Sequence, residues 1–203
     1  LNQLATVIDP LLRETSYFYD VRGNVEQIDR PDHDGDTFLT TTLYAHNAGD
    51  QLESVTDPLE RITSFLYDLH GRPWQTTLPD PDAEEIEFES PVLETVYDAL
   101  GRVTQSFDAL GNVTTYAYAN FGKEVTVTLA DPDAEEVELS SPVYVYTYDA
   151  AGNMLTATDP FDQVTTYAYN DLGWLTSVTL PDPDGIYEPL AAPVTSYEHD
   201  KLG

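Results

Sequence analysis

The chain has no cysteine, which excludes disulfide staples and thiolate metal sites. It is nearly as poor in positive charge: 8 Lys and Arg stand against 37 Asp and Glu, a net −29. Nucleic-acid binding needs a basic stripe, and none exists. Anionic membrane surfaces and polyanionic sugars are disfavoured on the same ground. No apolar run reaches the roughly 18 residues of a spanning helix. Amphipathic helical stripes are missing too, and the 14 Pro would interrupt them. The N-terminus, Leu1-Asn2-Gln3-Leu4, shows neither the basic nor the apolar region of a secretory leader. The chain lacks an initiator Met and stops at Leu202-Gly203 inside a motif, so both ends are expected to be cuts through a longer array.

What is present is a repeat. Glycines recur at Gly71, Gly101, Gly122, Gly152, Gly173 and Gly203, with gaps alternating between 30 and 21 residues, a period of 51. Four residues before each stands an aromatic or His: Tyr67, Tyr97, Tyr118, Tyr148, Tyr169 and His199. A short period with a glycine turn and a strand-like stripe marks a stacked repeat protein, whose units pack on their neighbours.

The strand before each glycine turn carries three side chains at spacing two, which share one face. One set runs Thr15/Tyr17/Tyr19, Thr63/Phe65/Tyr67, Thr114/Tyr116/Tyr118 and Thr165/Tyr167/Tyr169. The other runs Thr42/Tyr44/His46, Leu93/Thr95/Tyr97, Tyr144/Tyr146/Tyr148 and Thr195/Tyr197/His199. Stacked in register, these slots are expected to form aromatic columns across the strands. Each buried ring would contribute roughly 1.5–3 kcal/mol, plus about 0.5–1.5 kcal/mol for ring pairing. This structural aromatic ladder is the candidate stabilising spine.

Turn chemistry is legible as well. Asp9-Pro10-Leu11-Leu12, Asp57-Pro58-Leu59-Glu60, Asp108-Ala109-Leu110-Gly111 and Asp159-Pro160-Phe161-Asp162 occupy equivalent places and favour type I turns. Asp98-Ala99-Leu100-Gly101 and Asp149-Ala150-Ala151-Gly152 add Gly at the fourth position. Around Ala48-Gly49 the turn reads as one residue short. Apolar residues at Leu175, Val178 and Leu180 break strict alternation, which predicts a β-bulge after the glycine. The fold class expected is all-β: stacked antiparallel hairpins, about eight in one continuous array over residues 1–203, with a two-hairpin superperiod of 51 residues.

Segments Tyr97-Asp98-Ala99-Leu100-Gly101-Arg102-Val103 and Asp108 through Tyr118, with Tyr148-Asp149-Ala150-Ala151-Gly152-Asn153 through Tyr169, closely resemble the YD repeat, also called the RHS (rearrangement hotspot) repeat. The resemblance covers essentially the whole chain, in its repetitive shaft region only. It implies a strip of hairpins that in long members spirals into a hollow shell. Such shells enclose toxin domains in bacterial toxin complexes and serve adhesion in teneurin-like receptors. The family's autoproteolytic core segment has no match here, so none of its catalytic residues carries over.

Every second hairpin carries a long acidic loop, and these loops are expected to line up along one edge. Asp32/Asp34/Asp36, Asp80/Asp82/Glu84 and Asp131/Asp133/Glu135 place carboxylates at i, i+2 and i+4, like the first ligands of a Ca²⁺ loop. Asp182/Asp184 lacks the third. No glycine at the sixth and glutamate at the twelfth position complete the pattern, and a solvated acidic loop is the competing reading. With so many carboxylates, their pairing says nothing of glycosidase chemistry. His46 and His199 occupy the tyrosine slot as packed rings, whereas His33 and His70 lie in turns. Trp74 and Trp174 follow glycine turns and read as core, with sugar stacking as the alternative.

The function expected is non-enzymatic and structural. The chain reads as part of a large secreted or cell-surface bacterial protein, forming a scaffold, shell wall or extracellular fibre. A segment of a toxin-encapsulating shell and an adhesion or glycan-binding module stay open beside it. The partners expected are the remainder of the array or further copies in a polymer, with toxin cargo or surface glycans under those alternatives.

Overall fold

The computed structural model describes residues 3–31, 39–81, 89–131, 140–183 and 191–200. Among them sixteen strands form, with a single 3-10 turn at Asn120–Gly122 and no α-helix. The strands fall into two compact units, Leu1–Val96 with Phe107–Gly111, and Tyr97–Ser106 with Asn112–Gly203. The first carries β1 (Thr6–Ile8), β2 (Glu14–Tyr19), β3 (Val25–Pro31), β4 (Leu39–His46), β5 (Leu52–Thr56), β6 (Ile62–Tyr67), β7 (Pro73–Thr77) and β8 (Val92–Tyr97), the last residue aside. The second carries β9 (Val103–Phe107, its last residue aside), β10 (Val113–Ala119), β11 (Glu124–Thr128), β12 (Val143–Tyr148), β13 (Met154–Thr158), β14 (Val164–Tyr169), β15 (Leu175–Thr179) and β16 (Val194–Ser196). Neighbours in the sheet are neighbours in sequence, and the pairs are antiparallel. Thr, Tyr and Val dominate these strands, residues that suit a pleated, half-buried surface.

A meander of this order puts alternate connections on the same edge of each unit. One edge collects the Tyr-Asp turns, such as those between β2 and β3, β6 and β7, or β12 and β13. The other collects the Asp-Pro turns, alternating with the long acidic connections. The strand ends that the long connections join therefore share one edge of each unit.

The predicted bulge is present. Tyr169 pairs Leu175 while Ala168 pairs Ser177, which leaves Thr176 as the extra residue. The same shift recurs at Tyr19/Phe18, His46/Ala45, Tyr67/Leu66 and Tyr148/Thr147. It is absent between β10 and β11, where Tyr118 pairs Val125 and Ala117 pairs Thr126 in step. There Asn120 and Phe121 join Gly122 at positive φ, and the longer connection absorbs the residue that elsewhere forms the bulge.

The aromatic columns need correction. The rings sit on the even-numbered strands, with aliphatic or small residues opposite them: Tyr17 faces Ile28, Tyr44 faces Val55, Tyr116 faces Val127, Tyr146 faces Ala157 and Tyr167 faces Val178. Phe65 faces Thr76. Val125 lies between Tyr118 and Tyr146, and Val127 between Tyr116 and Tyr144. Strands two apart are separated by about 9.6 Å, beyond the roughly 4.5–7 Å of a ring pair. The rungs are therefore ring-on-aliphatic, and the energy of the face is burial of mixed apolar surface.

Tyr17, Tyr19, Tyr44, Phe65, Tyr67, Tyr97, Tyr116, Tyr118, Tyr144, Tyr146, Tyr148, Tyr167 and Tyr169 are half-buried, while Tyr197 is exposed. The opposite face is hydroxyl-rich. Thr147, Thr156, Thr166 and Thr179 run in one row across β12 to β15, and the hydroxyls of Thr147 and Thr156 hydrogen-bond at 2.6 Å. Among the described residues only Ile28 is buried, at 9% exposure. Among the described residues stability comes from strand pairing and half-burial.

Candidate functional site

The repeated structural device is the Tyr-Asp turn. At Asp68 the backbone closes twice: Asp68 N–H donates to Arg72 O at 2.9 Å and Gly71 N–H to Asp68 O at 3.0 Å. Oδ1 of Asp68 accepts from the N–H of His70 at 2.8 Å and of Arg72 at 3.0 Å. Oδ2 takes the Arg72 guanidinium at 2.7 Å. Gly71 supplies the left-handed residue, at φ 80°. This is a type I turn followed by a left-handed position, a favoured three-residue hairpin loop. The Asp side chain satisfies donors that the turn would otherwise leave open.

The pattern repeats with substitutions that keep its chemistry. Asp98 holds Leu100 N–H, Arg102 N–H and the Arg102 guanidinium. Asp149 holds Ala151 N–H, Asn153 N–H and the Asn153 amide. At Asn47 the acceptor is an amide oxygen, which takes the N–H of Gly49 and Gln51. This turn is full length, which corrects the shorter reading: Asp50, at φ 62°, stands where the others place glycine. The Asp-Pro edge uses the same turn, with the non-glycine left-handed residues Leu12, Glu60 and Asp162 in three turns and Gly111 in the fourth.

These contacts hold the carboxylates ionised. The Arg72 guanidinium, then the Arg72 N–H, brings Asp68 down to about 2, against the opposing effect of partial burial. At Asp20 partial burial pushes upward but is outweighed by the Asn24 N–H and amide and by the N–H of Arg22 and Gly23, leaving about 2. Asp57 is lowered by the Arg61 guanidinium, and Asp149 by the Asn153 amide.

On the Tyr-Asp edge the turns also reach one another. Gln3 donates to Gly23 O at 3.2 Å, and Asn24 to Asp50 at 2.9 Å. Gln51 lies 3.1 Å from where a Cβ on Gly71 would stand, Arg102 3.8 Å from that of Gly122, and Asn153 3.9 Å from that of Gly173. Arg102 also covers the Tyr118 ring, 4.2 Å from its centroid. Tyr hydroxyls tie the strands from the same edge: Tyr19 donates to Leu4 O, Tyr67 to Leu52 O and Tyr118 to Val103 O, each at 2.8 Å. Burial pushes the Tyr118 phenol up. Trp174 takes the next place in the row and meets His199, ring centroids 5.4 Å apart, while His199 Nε2 lies 2.6 Å from Leu175 O. His199 is exposed, not a packed ring, and Trp74 is the extra residue of its bulge.

The position one residue after the left-handed residue, whose side chain reaches the next turn at Gln51, Arg102 and Asn153, was the one that sequence reasoning missed. Its signal was available, because that position is polar and long nearly throughout. Of the acidic-loop residues, Asp32, Asp34, Asp36, Asp82, Glu84, Asp133, Glu135 and Asp184 lie outside the described residues, as does His33. Asp80, Asp131 and Asp182 are described, and no group of three or more His, Asp or Glu that could hold a metal occurs among the described residues.

Residues 97–134 and 148–184 match the RHS Repeat family. Those two segments are similar to RHS repeats. Among solved structures, the antiparallel sheet seen here is similar to a crystal structure of TcdB2-TccC3, at 18% identity and a TM-score of 0.67 over 92% of this chain and 11% of that one. A crystal structure of TcdB2-TccC3-Cdc42 is similar at 19% identity and a TM-score of 0.64, over 83% of this chain and 9% of that one. The chain thus spans about a tenth of the length of the structures it matches, and at this identity the likeness is one of fold. No curated protein matches the sequence.

Proposed function

We propose that this chain is a length of wall in an RHS-type shell: a structural module that encloses cargo and carries no catalytic machinery of its own. The observation that supports this most is the build of each unit. Hairpins follow one another in chain order, most of the short turns among the described residues are fixed by their own Asp or Asn, and side chains such as Asn24 tie one turn to the neighbouring one. Such a strip extends by adding hairpins and encloses space instead of filling it. Fold likeness over 92% of the chain to TcdB2-TccC3 supports the same reading. An enclosed toxin and a secreted location come with it, as the family resemblance implies. A free extracellular fibre rests on the same 51-residue period and gains no observation of its own, so the shell reading stands first.

Electron cryo-microscopy of the full-length protein that contains this chain tests the proposal. A hollow particle whose wall is one sheet thick, with these strands traced in it, is the expected result. An unbranched filament with no lumen would overturn it.

A further inference from the structure

Arg13, Arg22, Arg61, Arg72 and Arg102 each hold a carboxylate. Arg30, in a chain of net charge −29, holds none among the described residues. The repeat does not ask for a charge there. Gly23 leads to Arg30 at the same spacing that takes Gly71 to Leu78, Gly122 to Leu129 and Gly173 to Leu180. An apolar place in three units is a guanidinium in the fourth.

The strands around Arg30 turn their carboxylates away from it. Tyr17 pairs Ile28 and Ser16 pairs Asp29, so alternation sets Arg30 on the face of Tyr17 and Ile28, with Asp29 on the other. On that other face Asp29 Oδ1 accepts from the Gln27 amide and the Thr41 hydroxyl, each at 2.8 Å. Glu14 pairs Ile8 while Thr15 pairs Val7, which puts Glu14 on the far face as well.

On its own face Arg30 lines a cavity of about 430 Å³ with Val7, Asp9, Arg13, Thr15 and Pro31. That volume lies in the range of small-molecule sites. Asp9 is the one carboxylate among these residues, and it is engaged by its own turn. Its Oδ2 accepts from Arg13 Nε at 2.7 Å, and its Oδ1 from the N–H of Leu11 and of Arg13. A guanidinium has five N–H donors, so Arg13 has more to offer than that contact uses. A cavity of about 360 Å³ recurs at the equivalent place in the second unit. There Asp159, Gln163, Thr165 and Pro181 stand where the first has Asp9, Arg13, Thr15 and Pro31. The repeat builds the cavity, and the copy at Arg30 adds two guanidiniums to it.

We propose that the Arg30 cavity binds a small organic monocarboxylate. Arg30 takes the carboxylate through its paired N–H groups, the geometry in which guanidinium and carboxylate match best. Arg13 and the Thr15 hydroxyl supply further donors, and Val7 and Pro31 cover the ligand's apolar part. The chain's strong negative charge favours a singly charged anion over a phosphate, which it repels more. This site stands apart from the wall reading and does not depend on it.

Benzoate is the probe, used on the full-length protein that contains this chain. Arginines are modified with phenylglyoxal, and the rate at each is read by peptide mass spectrometry. Saturating benzoate is expected to slow modification of Arg30 about fivefold or more, while benzyl alcohol, the neutral analogue, leaves it unchanged. Arg61, which occupies the place of Arg13 beside Leu78 instead of an arginine, should react at one rate with and without benzoate. Arg30→Leu installs the residue that the other units carry, and Arg30→Gln removes the charge alone. Each should weaken benzoate binding by about tenfold or more in saturation-transfer NMR and leave the melting curve in place. Arg30 modified equally fast with and without benzoate would overturn the proposal. So would equal protection by benzyl alcohol, stronger protection by inorganic phosphate, or binding unchanged in both variants.

Discussion

The two edges of the strip are built on one turn and differ in what they do with it. At the Asp-Pro edge each turn is self-contained: Asp9 closes on Arg13 and Asp57 on Arg61, four residues on, and Leu12 or Glu60 occupies the left-handed position. On the Tyr-Asp edge the same position is usually glycine, and Gln51, Arg102 and Asn153, each one residue after it, lie against the next turn at Gly71, Gly122 and Gly173. The difference teaches why glycine recurs where it does. On one edge the left-handed residue has only a conformational burden. On the other, at Gly71, the Gln51 side chain also stands 3.1 Å from where a Cβ would lie.

That comparison can be broken most directly at the left-handed residue. Gly71→Ala is expected to cost about 1–2 kcal/mol from its positive φ alone, with the Gln51 contact at 3.1 Å adding to it. The partner experiment, Glu60→Gly, relieves strain at φ 62° and should raise stability by about 0.5–1 kcal/mol. Thermal or urea unfolding reads both, and equal effects of one sign at the two edges would contradict the distinction. Next, Tyr67→Phe removes the hydroxyl that donates to Leu52 O and should cost about 0.5–1.5 kcal/mol. On a chain of this size that lowers Tm by about 2–4 °C per kcal/mol.

Acid should then sharpen the picture. The Asp68 and Asp20 carboxyls sit near 2 in the folded chain, below the roughly 3.9 of an unfolded Asp. A lowered folded value means the stabilisation is fully present above pH about 4 and is lost as pH falls toward 2. Melting curves between pH 5 and 2, numbers set by those two values, should slope downward with acid, and Asp68→Asn should flatten the slope. An unchanged slope in that variant would separate the turn from the acid response. Smallest is the test of the long connections: if they hold Ca²⁺, millimolar Ca²⁺ raises Tm, and an unmoved melting curve leaves them as solvated loops.

Much of this fold was legible in residues. Asp at the turn start and Gly three later gave the hairpins, and Leu175 with Val178 gave the bulge. The ring columns were not legible, because spacing of two within a strand says which face a ring takes and nothing about the strand beside it. Only the register shows Val125 between Tyr118 and Tyr146. Asp50 was missed for a related reason: the reading followed glycine, while the backbone asks only for a left-handed residue, which Asp supplies. Arg102 and its equivalents were passed over because their role is a contact with a turn about 20 residues away.

The coupling of neighbouring turns is tested most directly by a double-mutant cycle on Arg102→Ala and Tyr118→Leu, read by urea unfolding. With the guanidinium 4.2 Å from the ring centroid, the two effects should fall short of additivity by about 0.5–1 kcal/mol. Additivity within about 0.3 kcal/mol would contradict the account, because it would mean that adjacent turns on the Tyr-Asp edge stand independently of one another.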